Sequence, residues 1–117
     1  MSSPAAVHMT EAELQSAVVE CAQLLGWRVA HFRPARTAHG WRTPVGADGA
    51  GFPDLVMVRD GSVLVVELKS ATGQLTPEQR VWLAAFEAAA ARHPSVRSFV
   101  WRPADWLDGT IEEALRS

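Results

Sequence analysis

Apolar residues along the chain fall into a few runs, each with a recognisable period. Leu14, Ala17, Val18, Cys21, Leu24 and Leu25 recur at the spacing of one helical face. Thr10, with Glu13 three positions on, makes a capping box at the start of that helix, and Gly26 is its stop signal. Trp27 to Phe32 reads as a strand, although Trp27, Val29 and His31 alternate with Arg28, Ala30 and Phe32 in a way that fixes no buried face. Residues 33–50 show no period and are rich in Arg, Pro, Gly, Thr and Ala, so a long loop is expected there. Two β-branched runs, Leu55 to Val58 and Ser62 to Lys69, then flank Asp60-Gly61, the strongest short-range signal for a hairpin. The unbroken apolar run Val63 to Val66 suits a central strand covered on both faces.

A second capping box, Thr76 to Gln79 with Pro77 in the first helical position, opens another helix. Val81, Trp82, Ala85, Phe86 and Ala89 are its expected inner face, and His93-Pro94 ends it. Val96 to Trp101 reads as the last strand, placed beside the strand of Glu67 by the helical crossover. Thr110 to Arg116, with Ile111 and Leu115 four apart, is a short helix covering an end of the sheet. The predicted order is αβββαβ, an α+β fold with a mixed central sheet of about four strands flanked by helices.

Chemistry concentrates on the hairpin. Side chains alternate along a strand, so Glu67 and Lys69 share one face while Val66 and Leu68 take the other. The hairpin brings Asp54 near both charged residues. Burying a carboxylate and an ammonium at the end of an apolar strand requires a reason, and metal binding is one. Asp54 and Glu67 offer hard oxygens suited to Mg²⁺, with Mn²⁺ able to substitute, and the backbone carbonyl of Leu68 can add a third ligand. The alternative is a structural ion-pair cluster of Asp54, Glu67 and Lys69, which at a buried position is often no more stable than apolar replacements. Ser70 follows Lys69, but no histidine base is evident for it, so a serine nucleophile is not expected.

Size and composition fit one domain over residues 1–117, with residues 1–9 read as a mobile leader. The single cysteine, Cys21, suits a reducing cytoplasm, and no apolar run reaches the roughly 20 residues needed to span a bilayer. A soluble cytoplasmic protein without a membrane partner is expected. The net charge of −2 runs against the basic excess common in nucleic-acid binders. Its distribution is uneven, however. Arg33, Arg36 and Arg42 gather in the loop before Asp54 with His39 and Trp41, where they can grip phosphates or stack on a base; an ordinary solvated loop is the competing reading. Lys69 is the single lysine among the 11 basic residues, at a place where a compact ammonium would be wanted.

Pro53-Asp54 followed by Glu67-Leu68-Lys69 resembles the PD-(D/E)xK signature of the restriction-endonuclease-like nucleases. Gly51-Phe52-Pro53-Asp54-Leu55, Glu67-Leu68-Lys69, Gly73 and Thr76-Pro77-Glu78-Gln79 with Trp82-Leu83 are similar to the VRR-NUC family within that superfamily. The resemblance runs over most of the chain, from Glu13-Leu14-Gln15 to Trp101-Arg102-Pro103. It implies a restriction-endonuclease-like core and a metal-dependent nuclease that hydrolyses phosphodiester bonds in branched, flap or junction DNA, possible as a homodimer. It also implies that Asp54, Glu67, Lys69 and Gln79 are catalytic, that Gly51 lies with the arginines at the DNA, and that an acid of the first helix completes the metal site. Glu13 and Glu20 are the candidates for that acid; capping explains Glu13 equally well, and a solvated face explains Glu20. Two other readings stay open, a DNA-binding or assembly module that keeps the fold without turnover, and a small phosphohydrolase acting on nucleotides.

Overall fold

In the computed structural model, residues 8–32, 35–37, 40–42 and 46–117 are described, and of 35–37 and 40–42 the backbone alone. The chain runs α1 (Glu11–Leu24), β1 (Arg28–His31), β2 (Ala35–Thr37), β3 (Gly40–Arg42), β4 (Leu55–Arg59), β5 (Ser62–Leu68), α2 (Pro77–Arg92), β6 (Val96–Trp101), α3 (Pro103–Leu107) and α4 (Thr110–Arg116). The main sheet has four strands in the order β1-β4-β5-β6. Pairing is antiparallel from β1 to β5 and parallel between β5 and β6, so the sheet is mixed. With helices packed against it this is the expected α+β fold.

Each element forms for a local reason. Both capping boxes close in full: Thr10 accepts from the Glu13 amide while the Glu13 carboxylate accepts from Thr10 N–H, and Thr76 and Gln79 do the same at α2. The β4–β5 hairpin turns on Asp60 (φ 49°) and Gly61 (φ 81°), both left-handed as a two-residue turn of the primed type demands. Leu14, Val18 and Ala22 of α1 pack with Leu55, Met57, Leu64, Val66 and Leu68 of the sheet and with Ile111 and Leu115 of α4 to form the core. Arg59 ties the end of α1 to the residue after α4, lying over the Trp27 ring at 4.4 Å and donating to the carbonyls of Leu25 and Ser117.

Several expectations need correcting. The loop at 33–50 contains a short ribbon, β2 paired with β3, whose three-residue strands are too short to show a period of two. Leu24 is 80% exposed because the buried stripe runs 14-18-22 and Leu24 lies across the helix from it. On α2 the only buried side chain is Leu83, and Val81 is 70% exposed. Trp82 and Phe86 belong to a separate aromatic cluster with Phe52. An unforeseen helix, α3, begins with Pro103 and is held at its start by Arg102 N–H donating to the Asp105 carboxylate, 2.8 Å. Of the leader expected at 1–9, Met9 instead packs against the core, while residues 1–7, all of Arg33 and His39, and the side chains of Arg36, Trp41 and Arg42 lie outside the described residues.

Gly51 deserves its glycine on steric grounds. Its φ is +81°, and a Cβ there would stand 2.6 Å from the Glu78 backbone and 2.7 Å from the Gln79 amide. Gly51→Ala is therefore expected to cost about 2 kcal/mol or more in urea unfolding. Gly61→Asn, at a position with the same φ and open space around it, should cost well under half of that. Equal losses for the two variants would contradict the close approach.

Candidate functional site

The strand register builds the site. β1 and β4 pair His31 with Leu55, and β4 and β5 pair Leu55 with Val66. One step further along, Phe32, Asp54 and Glu67 stand opposite one another, and Glu67 is paired in turn with Val100 of β6. Residues directly opposite in a sheet project to the same face, with neighbouring Cβ atoms roughly 4.5–5.5 Å apart. Asp54 and Glu67 are thus side by side on the face that carries α2.

Hydrogen bonds then hold the two carboxylates in place. Asp54 Oδ2 accepts from the Leu68 amide at 2.8 Å, across the open end of the β4–β5 hairpin. In an extended strand the N–H and C=O of one residue leave by the same edge, so the Leu68 carbonyl is turned toward Asp54 as well. Glu67 Oε1 accepts from Gln79 Nε2 at 3.1 Å. The same Gln79 side chain also caps α2, its Oε1 accepting from Thr76 N–H at 2.9 Å, so a capping residue doubles as the clamp on Glu67. Glu67 Oε2 is fully buried and, among the described residues, has no hydrogen-bond partner.

Burial of Glu67 beside Asp54 has an electrostatic consequence. Burial, followed by the nearby Asp54 carboxylate, pushes the Glu67 carboxyl up from 4.5 to about 8, while Lys69 pulls it partly back. Lys69 is 9% exposed, and its backbone is fixed by its amide donating to the Trp101 carbonyl at 3.0 Å. Among the described residues the ion pair present is the exposed Arg116–Glu112, so neither Glu67 nor Lys69 is engaged in one. The arrangement is therefore not the structural ion-pair cluster weighed as an alternative. It is a carboxylate pair beside a cation that is left available.

The turn after Lys69 is braced from the opposite side. Arg102 Nη1 donates to the carbonyls of Ser70 and Gly73, both at 2.8 Å. Ser70 Oγ accepts from the Gly73 amide at 2.9 Å, which occupies that hydroxyl in the turn. A Cβ on Gly73 would lie 2.9 Å from Ser70 Oγ and 3.6 Å from Lys69 Cδ, so this turn lies along the lysine stem.

Of the α1 acids, Glu11 is the one whose charge is felt at the pair, rather than Glu13 or Glu20. It lies close enough to Asp54 and Lys69 to feel both charges, and its carboxyl is raised by partial burial and then by Asp54, against the pull of Lys69. Glu13 is exposed and committed to its capping box, which holds its carboxyl below the ordinary value, and Glu20 is exposed. A helix turns about 100° per residue, so Glu13 and Glu20 both point roughly opposite to Glu11. Glu11 was readable all the same, since it extends the Leu14–Val18–Ala22 stripe by three positions at the N-terminal end. On the other side of the sheet, Gln15 Nε2 meets His31 Nδ1 at 3.2 Å. Gly51, expected at the DNA, is accounted for by its contact with the first turn of α2.

The match of this chain to the VRR-NUC domain covers residues 7–99, and so takes in α1, the hairpin, α2 and nearly all of β6. The chain belongs to the VRR-NUC family. A nuclease-type domain is thus what carries the carboxylate pair. No curated protein matches the chain. No described helix is long and apolar enough to cross a membrane.

Among the described residues no group of three or more His, Cys, Asp and Glu side chains is arranged to hold a metal ion. The donor set nevertheless fits Mg²⁺, which keeps several waters and is usually bound through one or two carboxylates. The unpaired Glu67 Oε2, next to Asp54 and within a hydrogen-bonded frame, is the observation that supports this fit.

A pH dependence follows for the metal-free protein. A carboxyl raised from 4.5 to about 8 binds more protons in the folded than in the unfolded state between those values. Its contribution is therefore full below pH 4.5 and is lost as pH rises toward 8, by up to about 1.4 kcal/mol per pH unit. In EDTA, Glu67→Gln is expected to flatten that fall in unfolding free energy and to exceed the wild type near pH 8. Parallel pH profiles for the two proteins would contradict the raised carboxyl.

Proposed function

We propose that the protein is a metal-dependent deoxyribonuclease that hydrolyses phosphodiester bonds, acting on branched, flap or junction DNA. The single observation behind this reading is the buried Glu67 Oε2 beside Asp54, without a hydrogen-bond partner among the described residues, with Lys69 on the same strand face and in no ion pair among them. Asp54, Glu67 and the Leu68 carbonyl would hold Mg²⁺, or Mn²⁺ in its place, and Glu11 would bear on it through water. The bound ion would supply Lewis-acid polarisation of the phosphate and a lowered pKa for the attacking water.

The remaining work belongs to the chain. Gln79 orients Glu67 through its 3.1 Å hydrogen bond, and the Leu68 amide orients Asp54 at 2.8 Å. Lys69 presents a compact positive charge to the phosphate, stabilising charge that builds up on its oxygens as the bond breaks. Arg102 keeps the turn over Lys69 in place from the far side. No covalent protein intermediate is needed, which agrees with the engagement of Ser70 Oγ in its turn.

A phosphohydrolase for small nucleotides is less well supported. The cavity of 270 Å³ lies between α2 and β6, lined by Leu75, Arg80 and Phe99 among others, and does not include the carboxylates. A homodimer also belongs to this reading, because β6 is an edge strand whose outer side is unpaired in the sheet.

Labelled linear, flap and four-way-junction DNA, incubated with Mg²⁺, Mn²⁺ or EDTA, tests the reading. Cleavage is expected with either cation and not with EDTA. Glu67→Ala should abolish it, and Lys69→Ala should lower the rate about 10²- to 10³-fold. If wild type and Glu67→Ala bind DNA equally and neither cuts, the hydrolytic reading fails and a binding module with this fold takes its place.

A further inference from the structure

The row of side chains that holds the carboxylates has a third member that no part of the hydrolytic chemistry uses. Phe32 N–H donates to the Asp54 carbonyl at 3.2 Å, which places the ring directly beside Asp54 on the α2 face of the sheet. The ring is 43% exposed, although it is large and wholly apolar. It does not belong to the core formed by α1, α4 and the other face of the sheet.

Phe32 is also held firmly. Its ring meets Phe52 edge-on, with centroids 5.4 Å apart and planes at 90°. Phe52 is wedged in turn against Trp82 at 5.0 Å and Phe86 at 6.0 Å. Trp82 pins the preceding loop by donating its indole N–H to the Asp48 carbonyl at 2.9 Å. An aromatic ring set against Phe52, which is itself packed on two further rings, with part of its surface open and the carboxylates of Asp54 and Glu67 in the same row, has the form of a stacking platform.

We propose that Phe32 stacks on one unpaired base of the substrate strand, next to the phosphate held at Asp54 and Glu67. The proposal rests on the nuclease reading above and deepens it by naming the substrate feature that is recognised. Every base offers a π-face, so such a platform favours unpaired nucleotides without choosing a sequence. A base within a duplex is already stacked on both sides, and it gains nothing from the ring. Preference for flaps, frayed ends or junction arms over continuous duplex then follows from Phe32 and not from the carboxylates.

The test separates stacking from packing and from turnover. Binding of a single strand, a flap and a blunt duplex, each carrying 2-aminopurine, is measured with Ca²⁺ for wild type, Phe32→Leu and Phe32→Trp. Phe32→Leu keeps an apolar side chain against Phe52 but removes the π-face. It should weaken single-strand and flap binding by on the order of 10-fold or more and relieve the quenching of 2-aminopurine, with duplex binding unchanged. Phe32→Trp should bind the single strand at least as tightly as wild type, a readout independent of how the leucine variant folds.

Equal single-strand affinity for wild type and Phe32→Leu, or weaker single-strand binding by Phe32→Trp, overturns the proposal. Cleavage with Mg²⁺ is scored in parallel. Failure of the platform leaves metal-dependent cutting by the wild type intact, whereas failure of the nuclease reading appears as no cutting by the wild type on any substrate.

Discussion

Two carboxylates that would repel one another are held side by side on neighbouring strands, and the rest of the molecule serves to keep them there. Asp54 and Glu67 meet because the β4–β5 hairpin fixes its register, and a slip of one residue would send one of them to the opposite face. Their mutual repulsion and the burial of Glu67 show as a carboxyl displaced to about 8. Such a group is costly in an isolated fold and useful at a site where charge is to be neutralised by a ligand.

Around this pair, structural devices are reused as positioning devices. Gln79 closes the capping box of α2 and also clamps Glu67, so the helix start and the site are one unit. Gly51 lets the loop before Asp54 pass against that same helix turn, where any side chain would collide with the Glu78 backbone. Arg102, from the end of β6, braces the turn over Lys69 through two carbonyls. The hairpin, α2 and β6 therefore each contribute one constraint to a site whose chemical groups lie on two strands.

Much of this was legible in the sequence because it rests on short-range rules. The Asp60-Gly61 turn, both capping boxes and the unbroken Val63–Val66 run state their own structures, and alternation alone puts Glu67 and Lys69 on one face. Which acid of α1 lies near the pair was harder to read. Glu13 drew attention because a capping box is a local pattern, whereas Glu11 is marked only by its phase with the buried stripe, which becomes decisive once the helix is seen against the sheet. The exposure of Val81 and Leu24 likewise depends on which faces find partners, a tertiary fact beyond periodicity. Phe32 gave no signal, since its place beside Asp54 exists only through pairing of distant strands.

The claim at the centre is that the Asp54–Glu67 pair is a cation site. Calorimetric titration of the DNA-free protein with Mg²⁺, alongside Glu67→Gln and the surface control Glu20→Gln, tests it most directly. Saturable binding is expected for wild type and for the Glu20 variant, and loss of that binding for the Glu67 variant. Equal Mg²⁺ affinity in all three, or none in the wild type, would contradict the account.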